Sequence, residues 1–581
     1  MFSDKPVIGR LTALLQTYEV QEVVACPGSR NAPIVHNLHE AGFRLTSVTD
    51  ERSAGFVALG IALALQRPVA VCVTSGSALL ALLPAVAEAY YRCLPLLVIS
   101  ADRPASRLGQ WEGQTLPQVD ALQPYAPCFN VADNEAADSE SHHTRLLNEA
   151  LTRLTQQRLP VHVNVQINEP LFRFTTEQLP AVRRIRTLPV RVQPEGIAEY
   201  LRPIAEARLP LLVVGQMDEE LPAAIHSIRT NGQLLVLPEI ISAAGDSRGT
   251  NVLEMLLEQK GQWPLAQQPD VVIHMGGHSV GKQLRLFLRR QKKLQVVRIE
   301  HTEAYADTFD HLTAILRMSP AEALPLLAQF LPPNDAVRAA AQQLQQYVGR
   351  MEEYVPQYMS DLGVMRRVAA ELADHPWIIH LANSSAIRNA ACYLRPSAQH
   401  RIFANRGTNG IEGSLSTAIG YALRTDQPVL LLIGDLSFFY DLSALALPSL
   451  PRHLRIVLFN NGGGQIFSRL PGLEQSPALP AYISAQSHHT ASGIATAFGL
   501  RYAQAHTMQD LQSVLHTSLY PAADGPTLLE VFTEMNDNQQ ELDALKRWVV
   551  DGRSEEHIDI SYTQQNIIPY VSKNLDSPEG V

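Results

Sequence analysis

The sequence predicts an α/β protein built from three parallel-sheet domains, and three observations support this prediction. Short runs of branched apolar residues, closed by glycine or polar turns, alternate with longer helix-forming stretches along most of the 581 residues. A segment near the start recurs with the same spacing near the end, and a further strand-and-helix region separates the two copies. Such alternation of strands and helices is typical of parallel sheets covered by helices.

The first domain, predicted over residues 1–180, alternates helices and strands from its start. An amphipathic helix over 7–19 precedes strands at 22–26, 45–48, 69–73 and 94–100, with helices over 54–66 and 79–91 between them. Polar loops follow these strands, and the carboxyl ends of parallel strands form the edge at which open α/β sheets bind ligands. We expect that edge to display Ser29, Arg30, Glu51, Ser75 and Arg103.

Two more domains and a tail follow the first domain. A middle domain is predicted over 185–345, with strands at 209–214, 234–237, 271–275 and 294–299. The last domain, over 355–550, contains strands at 429–433 and 455–459, joined by a crossover with a helix over 441–447. Residues 551–581 are polar without a clear period and are predicted to form a loosely held C-terminal tail.

The first and last domains are predicted to be copies of one α/β domain. In each, a glycine in a small-residue helix precedes a proline by eight positions, and a strand ending in a turn follows that proline. Gly60 and Pro68 correspond in this way to Gly420 and Pro428, which sets the offset at 360 residues. The same offset places Ser75 opposite Asp435. Self-similarity at a fixed offset indicates an internal repeat.

Composition excludes several classes of protein. The net charge of −10 does not indicate a nucleic-acid footprint, and no apolar run reaches the length of a membrane span. The chain opens without a signal peptide, and its five cysteines are scattered, as is typical of a reduced cytosolic protein. We therefore expect a cytoplasmic protein that binds small molecules, with neither nucleic acid nor membrane as a partner.

A candidate metal site lies where two predicted strands of the last domain end. The first strand ends in Gly434-Asp435, and the second ends in Asn461 followed by three glycines. Asp435 offers a carboxylate, Asn461 an amide oxygen, and the glycines allow a backbone carbonyl, that of Gly463, to turn inward. Hard oxygen donors suit Mg²⁺. Taken singly, the same dipeptides are ordinary turn sequences.

The pair of motifs resembles the diphosphate and metal signature of the thiamine diphosphate enzymes. The third residue of that signature is usually glycine, and here it is Leu436. The longer stretch from Gly434 to Phe467 is similar to the branch of that family that acts in menaquinone biosynthesis. The resemblance implies a thiamine diphosphate cofactor with Mg²⁺, or Mn²⁺ as an alternative. It also implies a pyrimidine-binding first domain, a middle domain without its own cofactor and a diphosphate-binding last domain.

The resemblance also implies the roles of individual residues. Glu51 would be the catalytic carboxylate beside the aminopyrimidine ring, and Ile411 the apolar wedge that bends the cofactor. The metal ligands would be Asp435, Asn461 and Gly463. The cofactor-binding residues would be Glu51, Ser75, Ile411, Gly434, Asp435, Leu436, Ser437, Asn461, Gly463, Gln465 and Ile466. The substrate-binding residues would be Ser29, Arg30, Arg103, Gln114, Lys282, Ser384, Arg388, Arg406 and Phe467.

By the same resemblance, the reaction is the decarboxylation of 2-oxoglutarate followed by conjugate addition of the succinyl unit to isochorismate, with release of CO₂. Each active site would lie between domains of two subunits, which implies at least a homodimer and suggests a dimer of dimers. Arginine pairs bidentately with carboxylates, and both substrates carry two of them.

Other interpretations remain open from the sequence. A 2-keto acid decarboxylase or an acetohydroxyacid synthase-like carboligase would share the signature but take monocarboxylic substrates. A dinucleotide-dependent dehydrogenase should show Gly-x-Gly-x-x-Gly after its first strand, whereas Cys26-Pro27-Gly28-Ser29-Arg30 stands here. A non-catalytic scaffold could retain the fold. Glu51 alone is also consistent with the preference of acidic residues for the first turn of a helix.

Overall fold

A computed structural model describes residues 1–133, 139–185, 197–218, 223–302, 304–372, 375–395, 400–470, 472–522 and 525–552. Within these ranges the chain forms three sheets with six, five and six strands, and their strand pairs are all parallel. This confirms the predicted fold class. The predicted tail lies outside the described residues apart from its first two positions. No described helix combines the length and apolar composition that crossing a membrane requires.

The first unit builds its six-stranded sheet before residue 167. Its strands are β1 (Glu22–Ala25), β2 (Arg44–Ser47), β3 (Val69–Val73), β4 (Leu96–Asp102), β5 (Cys128–Ala132) and β6 (Val161–Gln166). Its helices are α1 (Pro6–Thr17), α2 (Ala32–Glu40), α3 (Glu51–Leu65), α4 (Ser77–Ala81), α5 (Leu83–Arg92) and α6 (Ser139–Thr152). The strand order is β2-β1-β3-β4-β6-β5.

One predicted helix of the first unit is wrong in detail. The stretch expected to be a single helix over 79–91 is divided into α4 and α5. Pro84 lies in the first turn of α5, where its missing N–H is tolerated and where it cannot continue the ladder of a preceding helix. The division ends α4 at Ala81, and α5 begins at Leu83.

The middle unit has a five-stranded sheet, one strand fewer than the sheet of each outer unit. Its strands are β7 (Pro210–Val214), β8 (Leu235–Pro238), β9 (Val271–Met275), β10 (Gln295–Ile299) and β11 (Leu312–Leu316), in the order β11-β10-β9-β7-β8. Its helices are α7 (Ile197–Ala205), α8 (Ala224–Thr230), α9 (Arg248–Lys260), α10 (Gln283–Arg289) and α11 (Pro320–Phe330). A long helix, α12 (Asp335–Glu353), leads out of it.

The last unit repeats the architecture of the first. Its strands are β12 (Trp377–Leu381), β13 (His400–Ala404), β14 (Val429–Gly434), β15 (Leu454–Asn460), β16 (Arg501–Ala505) and β17 (Thr527–Phe532). Its helices are α13 (Asp361–Glu371), α14 (Ser385–Tyr393), α15 (Ser414–Ala422), α16 (Asp435–Tyr440), α17 (Ser492–Ala497), α18 (Met508–Leu519) and α19 (Met535–Asp551). The predicted crossover helix over 441–447 is wrong. The helix α16 starts at Asp435, and Leu442–Ala446 forms a 3₁₀ turn.

The strand orders confirm that the outer units are copies. The last sheet has the order β13-β12-β14-β15-β17-β16, in which β12 to β17 take the places of β1 to β6. The two units also share one hydrophobic core, in which α3 packs against α15. At their crossing, a Cβ atom on Gly60 would overlap the Thr417 carbonyl oxygen, and one on Gly420 would overlap that of Val57. The two glycines of the repeat therefore let the helix backbones touch.

Alanine at either of these glycines should weaken the packing between the two outer units. We expect Gly60→Ala or Gly420→Ala to lower the free energy of unfolding by about 1–3 kcal/mol, because the added methyl group has only rigid backbone to displace. Urea unfolding followed by circular dichroism measures this. Gly349→Ala in α12 is the matched control, since nothing lies within 4 Å of its added Cβ. An unchanged unfolding midpoint in the two variants would contradict the close packing.

Candidate functional site

A cavity of about 340 Å³ opens at the carboxyl edge of the last sheet. All of its lining residues belong to the last unit. From the predicted cofactor set it contains Ile411, Gly434, Asp435, Leu436, Ser437, Asn461, Gly463, Gln465 and Ile466. From the predicted substrate set it contains Ser384, Arg388, Arg406 and Phe467. The structure therefore brings together, in one place, residues that lie up to 83 positions apart between Ser384 and Phe467.

Asp435 begins α16 directly after β14 and lies at the base of this cavity. Its Oδ1 accepts a hydrogen bond from the Leu436 N–H (2.7 Å), and its Oδ2 accepts one from the Gly463 N–H (2.8 Å). Burial raises the pKa of Asp435 to about 6, and the nearby Asp361 carboxylate adds to the rise while these two N–H groups oppose it. A cation beside a buried carboxylate favours its charged form.

Asn461 presents an unsatisfied oxygen at the same place. Its Nδ2 donates to Asp361 Oδ2 and to Gln465 Oε1, both at 3.2 Å. With the amide hydrogens engaged, Oδ1 is buried and has no hydrogen-bond partner in the described part of the chain. A buried oxygen without a partner costs about 1–3 kcal/mol. Such an atom is well suited to bind a metal ion.

The turn after Asn461 depends on two glycines. Gly462 and Gly463 have φ angles of +79° and +147°, which side chains disfavour. A Cβ on Gly463 would also lie 2.8 Å from the Ser484 carbonyl oxygen. The Gly463 carbonyl accepts a bond from the Gln465 N–H at 3.0 Å, and a carbonyl oxygen has a second lone pair.

These oxygen atoms fit the predicted Mg²⁺ site. Carboxylate, amide and carbonyl oxygens are the ligand types that Mg²⁺ accepts, together with phosphate and water. No group of three His, Cys, Asp or Glu side chains suited to a metal occurs among the described residues. The strongest support for a Mg²⁺ site here is the buried Asn461 Oδ1, which has no hydrogen-bond partner among the described residues.

Two arginines also line the cavity. Arg388 Nη1 donates to the Ser384 carbonyl oxygen at 2.7 Å, and Ser384 adopts a φ of +72°. Arg406 is buried, and its Nη1 donates to Asn383 Oδ1 at 3.2 Å. Burial lowers the pKa of Arg406 to about 10, with repulsion from Arg388 as the next cause. Both side chains are cations at neutral pH and are suited to bind carboxylates.

The remaining predicted substrate residues lie elsewhere in the chain. At the carboxyl edge of the first sheet, Arg30 pairs with Glu169 at 2.9 Å, and Arg103 pairs with Glu112 at 3.1 Å. Ser29 and Gln114 are exposed in the same unit, and Lys282 is exposed just before α10 of the middle unit. None of these five lines the cavity of its own chain.

Glu51 and Ser75 also lie at the edge of the first sheet. Glu51 is the first residue of α3, and the Asp50 side chain caps that helix by accepting the Ser53 N–H at 3.2 Å. Burial raises the pKa of the neighbouring Cys26 thiol, and the charge of Glu51 raises it further. Ser75 Oγ is buried without a partner among the described residues. The single chain therefore holds its predicted residues in separate groups, with Glu51 and Ser75 outside the cavity.

Among the cavity residues that sequence reasoning missed, two bind predicted residues through their side chains. Asp361 binds the amide of Asn461, and Asn383 binds the guanidinium of Arg406. The only signal at Asp361 is Ser360, which caps α13 and makes the following acidic residue an ordinary first-turn residue. Their proximity to the site is a tertiary property.

Solved structures with this fold are known. The thiamine diphosphate-dependent 4-hydroxybenzoylformate decarboxylase of Rhodococcus jostii RHA1 superposes with a TM-score of 0.70 at 18% identity, covering 91% of this chain and 99% of that one. The benzoylformate decarboxylase of Polynucleobacter necessarius has a TM-score of 0.68 at 16% identity, covering 92% and 99%. At such identities the likeness concerns the fold alone.

Family models match both outer units. Residues 9–123 match the N-terminal TPP binding domain of thiamine pyrophosphate enzymes, and residues 384–531 match the C-terminal TPP binding domain. The second match contains Asp435, Asn461 and both cavity arginines. Fold and site together define the class of thiamine diphosphate-dependent enzymes.

Close relatives define the branch of that class. The 2-succinyl-5-enolpyruvyl-6-hydroxy-3-cyclohexene-1-carboxylate synthase of Bacteroides thetaiotaomicron is 39% identical over 92% of this chain and 97% of its own length. The synthase of the same name from Phocaeicola vulgatus is 39% identical over 92% and 96%. The chain belongs to this family of synthases, which confirms the resemblance stated from the motifs. The roles of individual residues stay predictions.

Proposed function

We propose that this chain is a carboligase that decarboxylates 2-oxoglutarate and adds the succinyl unit to isochorismate in a conjugate addition, with release of CO₂. The product is the one in the name of its relatives, and the reaction is a step of menaquinone biosynthesis. The observation that carries the proposal is the cavity itself. It joins the buried Asp435 carboxylate and the orphaned Asn461 oxygen to two arginines.

We place the cofactor's diphosphate at the strand-end turns of the last unit. Asp435, Asn461 Oδ1 and the Gly463 carbonyl would hold Mg²⁺, or Mn²⁺ in its place, and Gly434, Leu436, Ser437, Gln465 and Ile466 would line the rest. Thiamine diphosphate, when bound, supplies a nucleophilic carbon and an electron sink for decarboxylation. Ile411 lines the cavity and is 38% exposed. As the apolar wedge, its side chain would be covered by the bound cofactor.

The cavity arginines would divide the two substrates between them. Arg388 and Ser384 would orient 2-oxoglutarate by its distal carboxylate, and Arg406 would bind isochorismate together with Phe467. Each charge-assisted bond of this kind contributes about 1.5–3 kcal/mol. A monocarboxylic 2-keto acid would leave one of these arginines without its anion, which favours the dicarboxylic substrate over the alternative carboligases.

We propose that the predicted residues of the first unit act in the active site of a second copy of the chain. These residues lie at the edge of the first sheet and do not line their own chain's cavity. They are Glu51, Ser75, Ser29, Arg30, Arg103 and Gln114. We propose a homodimer in which the first unit of one copy covers the last unit of the other, and a dimer of dimers as the assembly. Lys282 would approach from the middle unit. We propose the cytoplasm as its location.

Removal of the cofactor tests the proposed reaction. We expect dialysis against EDTA to abolish consumption of 2-oxoglutarate and isochorismate, and thiamine diphosphate with Mg²⁺ to restore it. Mass spectrometry of the product and CO₂ release measure this, with pyruvate replacing 2-oxoglutarate in a parallel reaction. A ligand that binds only the native state also raises the thermal midpoint. Undiminished turnover by stripped enzyme would refute the proposal, and a preference for pyruvate would favour the alternative carboligase.

A further inference from the structure

The loop between β13 and α15 connects the cavity to the other two units. This Arg406 loop, residues 405–413, carries both Arg406 and Ile411. From the middle unit, His278 Nδ1 donates to the Arg406 carbonyl oxygen at 2.7 Å. The loop is thus anchored from outside the unit to which it belongs.

Asn383 anchors the same loop from within the last unit. Its Nδ2 donates to the carbonyl oxygens of Asn405 and Gly410, each at 2.7 Å, and its Oδ1 accepts from Arg406 Nη1. Arg406 Nη2 donates to the Val280 carbonyl oxygen at 3.1 Å. Its Nε is buried and has no hydrogen-bond partner within the described ranges.

Glu88, from α5 of the first unit, supplies the third anchor. Its Oε1 accepts the Gly407 N–H at 3.1 Å, and its Oε2 accepts the N–H and the hydroxyl of Thr408 at 2.7 and 3.0 Å. The side chain is fully buried. A Cβ on Gly407 would lie 3.0 Å from Glu88 Oε2 and from Tyr91 Cβ, so the loop is in close contact with α5.

Glu88 and His278 hold opposite sides of one peptide group. The Arg406 carbonyl and the Gly407 N–H belong to the same planar peptide unit. His278 binds its oxygen, and Glu88 binds its N–H. Because the two clamps come from different units, the orientation of this peptide, and hence the direction of the Arg406 side chain, depends on how the units meet.

Loss of the carboxylate would free that peptide. Glutamine keeps one acceptor oxygen, so at least one of the Gly407 and Thr408 N–H groups would be buried without an acceptor, at a cost of about 1–3 kcal/mol, and the loop would move to regain a partner. A displacement of about 1 Å is enough to impair a positioned binding group. Arg406 would be displaced with this part of the loop, whereas Ile411 follows Gly410, which Asn383 still holds. Asp435 begins α16 and Asn461 follows β15, so neither belongs to this loop.

We propose that Glu88 is a positioning residue that aims Arg406 at the carboxylates of the acceptor substrate, within the last unit of its own chain. This rests on the proposed function in taking isochorismate as that acceptor. The first unit then serves two sites: Glu88 orders the site of its own chain, and Glu51 completes the site of the second copy.

Separate assays of the two half-reactions test this role. We expect Glu88→Gln to raise KM for isochorismate by about tenfold or more, which corresponds to about 1.4 kcal/mol. Decarboxylation of 2-oxoglutarate with ferricyanide as oxidant, and the thermal shift caused by thiamine diphosphate with Mg²⁺, should stay close to wild type. A merely structural role would change all three together, and an unchanged KM would overturn the proposal.

Two further variants test whether misfolding causes the effect of Glu88→Gln on KM. Thr408→Val removes only the hydroxyl bond to Glu88 and should raise the same KM by a smaller factor. Asp270→Asn is the matched control, because Asp270 also accepts two successive backbone N–H groups, those of Arg208 and Leu209, but within the middle unit. Its KM for isochorismate should match wild type. A rise equal to that of Glu88→Gln would contradict a specific role for Glu88.

Mixed dimers show in which chain Glu88 acts. Co-expression with two tags yields dimers of Glu88→Gln with Asp435→Asn chains, and of Glu51→Gln with Asp435→Asn chains. The second pair retains one intact shared site and should recover activity with a normal KM. The first pair should keep the raised KM, because its one cofactor-competent site has an unclamped loop. A normal KM in the first pair would overturn same-chain action. Failure of the second pair alone would instead refute the shared-site dimer.

Discussion

Replacing Asp435 by asparagine should abolish activity by removing the cofactor's metal anchor. The variant keeps the shape of the side chain but loses the charge that a divalent cation requires. We expect the affinity for thiamine diphosphate with Mg²⁺ to fall by at least about 100-fold, a loss of about 2.7 kcal/mol. Isothermal titration and turnover at increasing cofactor concentration measure this. Wild-type affinity in the variant would place the metal elsewhere.

The same substitution should not destabilise the cofactor-free protein. Burial raises the folded-state pKa of Asp435 from 3.8 to about 6. The protonated carboxyl therefore stabilises the folded state below about pH 4, and this contribution to the free energy of unfolding is lost as the pH rises through about 6. The ionised carboxylate then opposes folding by about 2–3 kcal/mol. Asparagine removes this buried charge but keeps only one of the two oxygens that accept backbone N–H groups, and the two effects offset each other. We therefore expect the cofactor-free variant to be about as stable as wild type at pH 7.5, measured by urea unfolding.

Asp441→Asn is the matched control for Asp435. Burial also raises the pKa of Asp441 to about 6, but this carboxylate accepts bonds from the N–H and hydroxyl of Ser416 and does not line the cavity. Its substitution should leave the affinity for the cofactor within about fivefold of wild type, or about 1 kcal/mol. Equal losses in both variants would indicate general damage to the fold.

Replacing Glu51 by glutamine should slow turnover without preventing cofactor binding. A positioned proton-transferring carboxylate contributes about 100- to 10,000-fold to the rate. We expect kcat to fall by at least about 100-fold, while the thermal shift caused by thiamine diphosphate with Mg²⁺ is retained. Steady-state kinetics at saturating cofactor separate the two effects.

The neighbouring acid provides the control for Glu51. Asp50 caps α3, and asparagine caps helices about equally well, so Asp50→Asn should retain near wild-type turnover. If Glu51→Gln were equally active, Glu51 would be only a first-turn acidic residue that favours the helix dipole.

The periodic features of this fold were predictable because they are local. The buried strand at 69–73, its counterpart after Pro428 and the turns that close them follow from apolar runs and glycine punctuation. Errors arose where local signals competed. Pro84 divides α4 from α5, and α16 begins at Asp435 rather than after Tyr440. The order of the strands in each sheet was predictable only in part, because hydrogen bonding between strands that are distant in the sequence leaves no local sequence pattern.

The candidate site follows the same distinction. Asp435 and Asn461 could be identified from a motif because consecutive parallel strands end at one edge, which converts sequence spacing into proximity. Asp361 and Glu88 could not, because each acts through a hydrogen bond to a residue 100 or more positions away. Their carboxylates look like ordinary helix residues until the units pack.

The sequence by itself determined the class of fold, the duplicated unit and the oxygen donors at the strand ends, since each is written in residues near one another. Tertiary structure decided which amide oxygen is left without a partner, which glycines bring α3 and α15 into contact, and which unit holds Arg406. These properties depend on burial and on contacts between distant segments, and neither exists before the chain is folded.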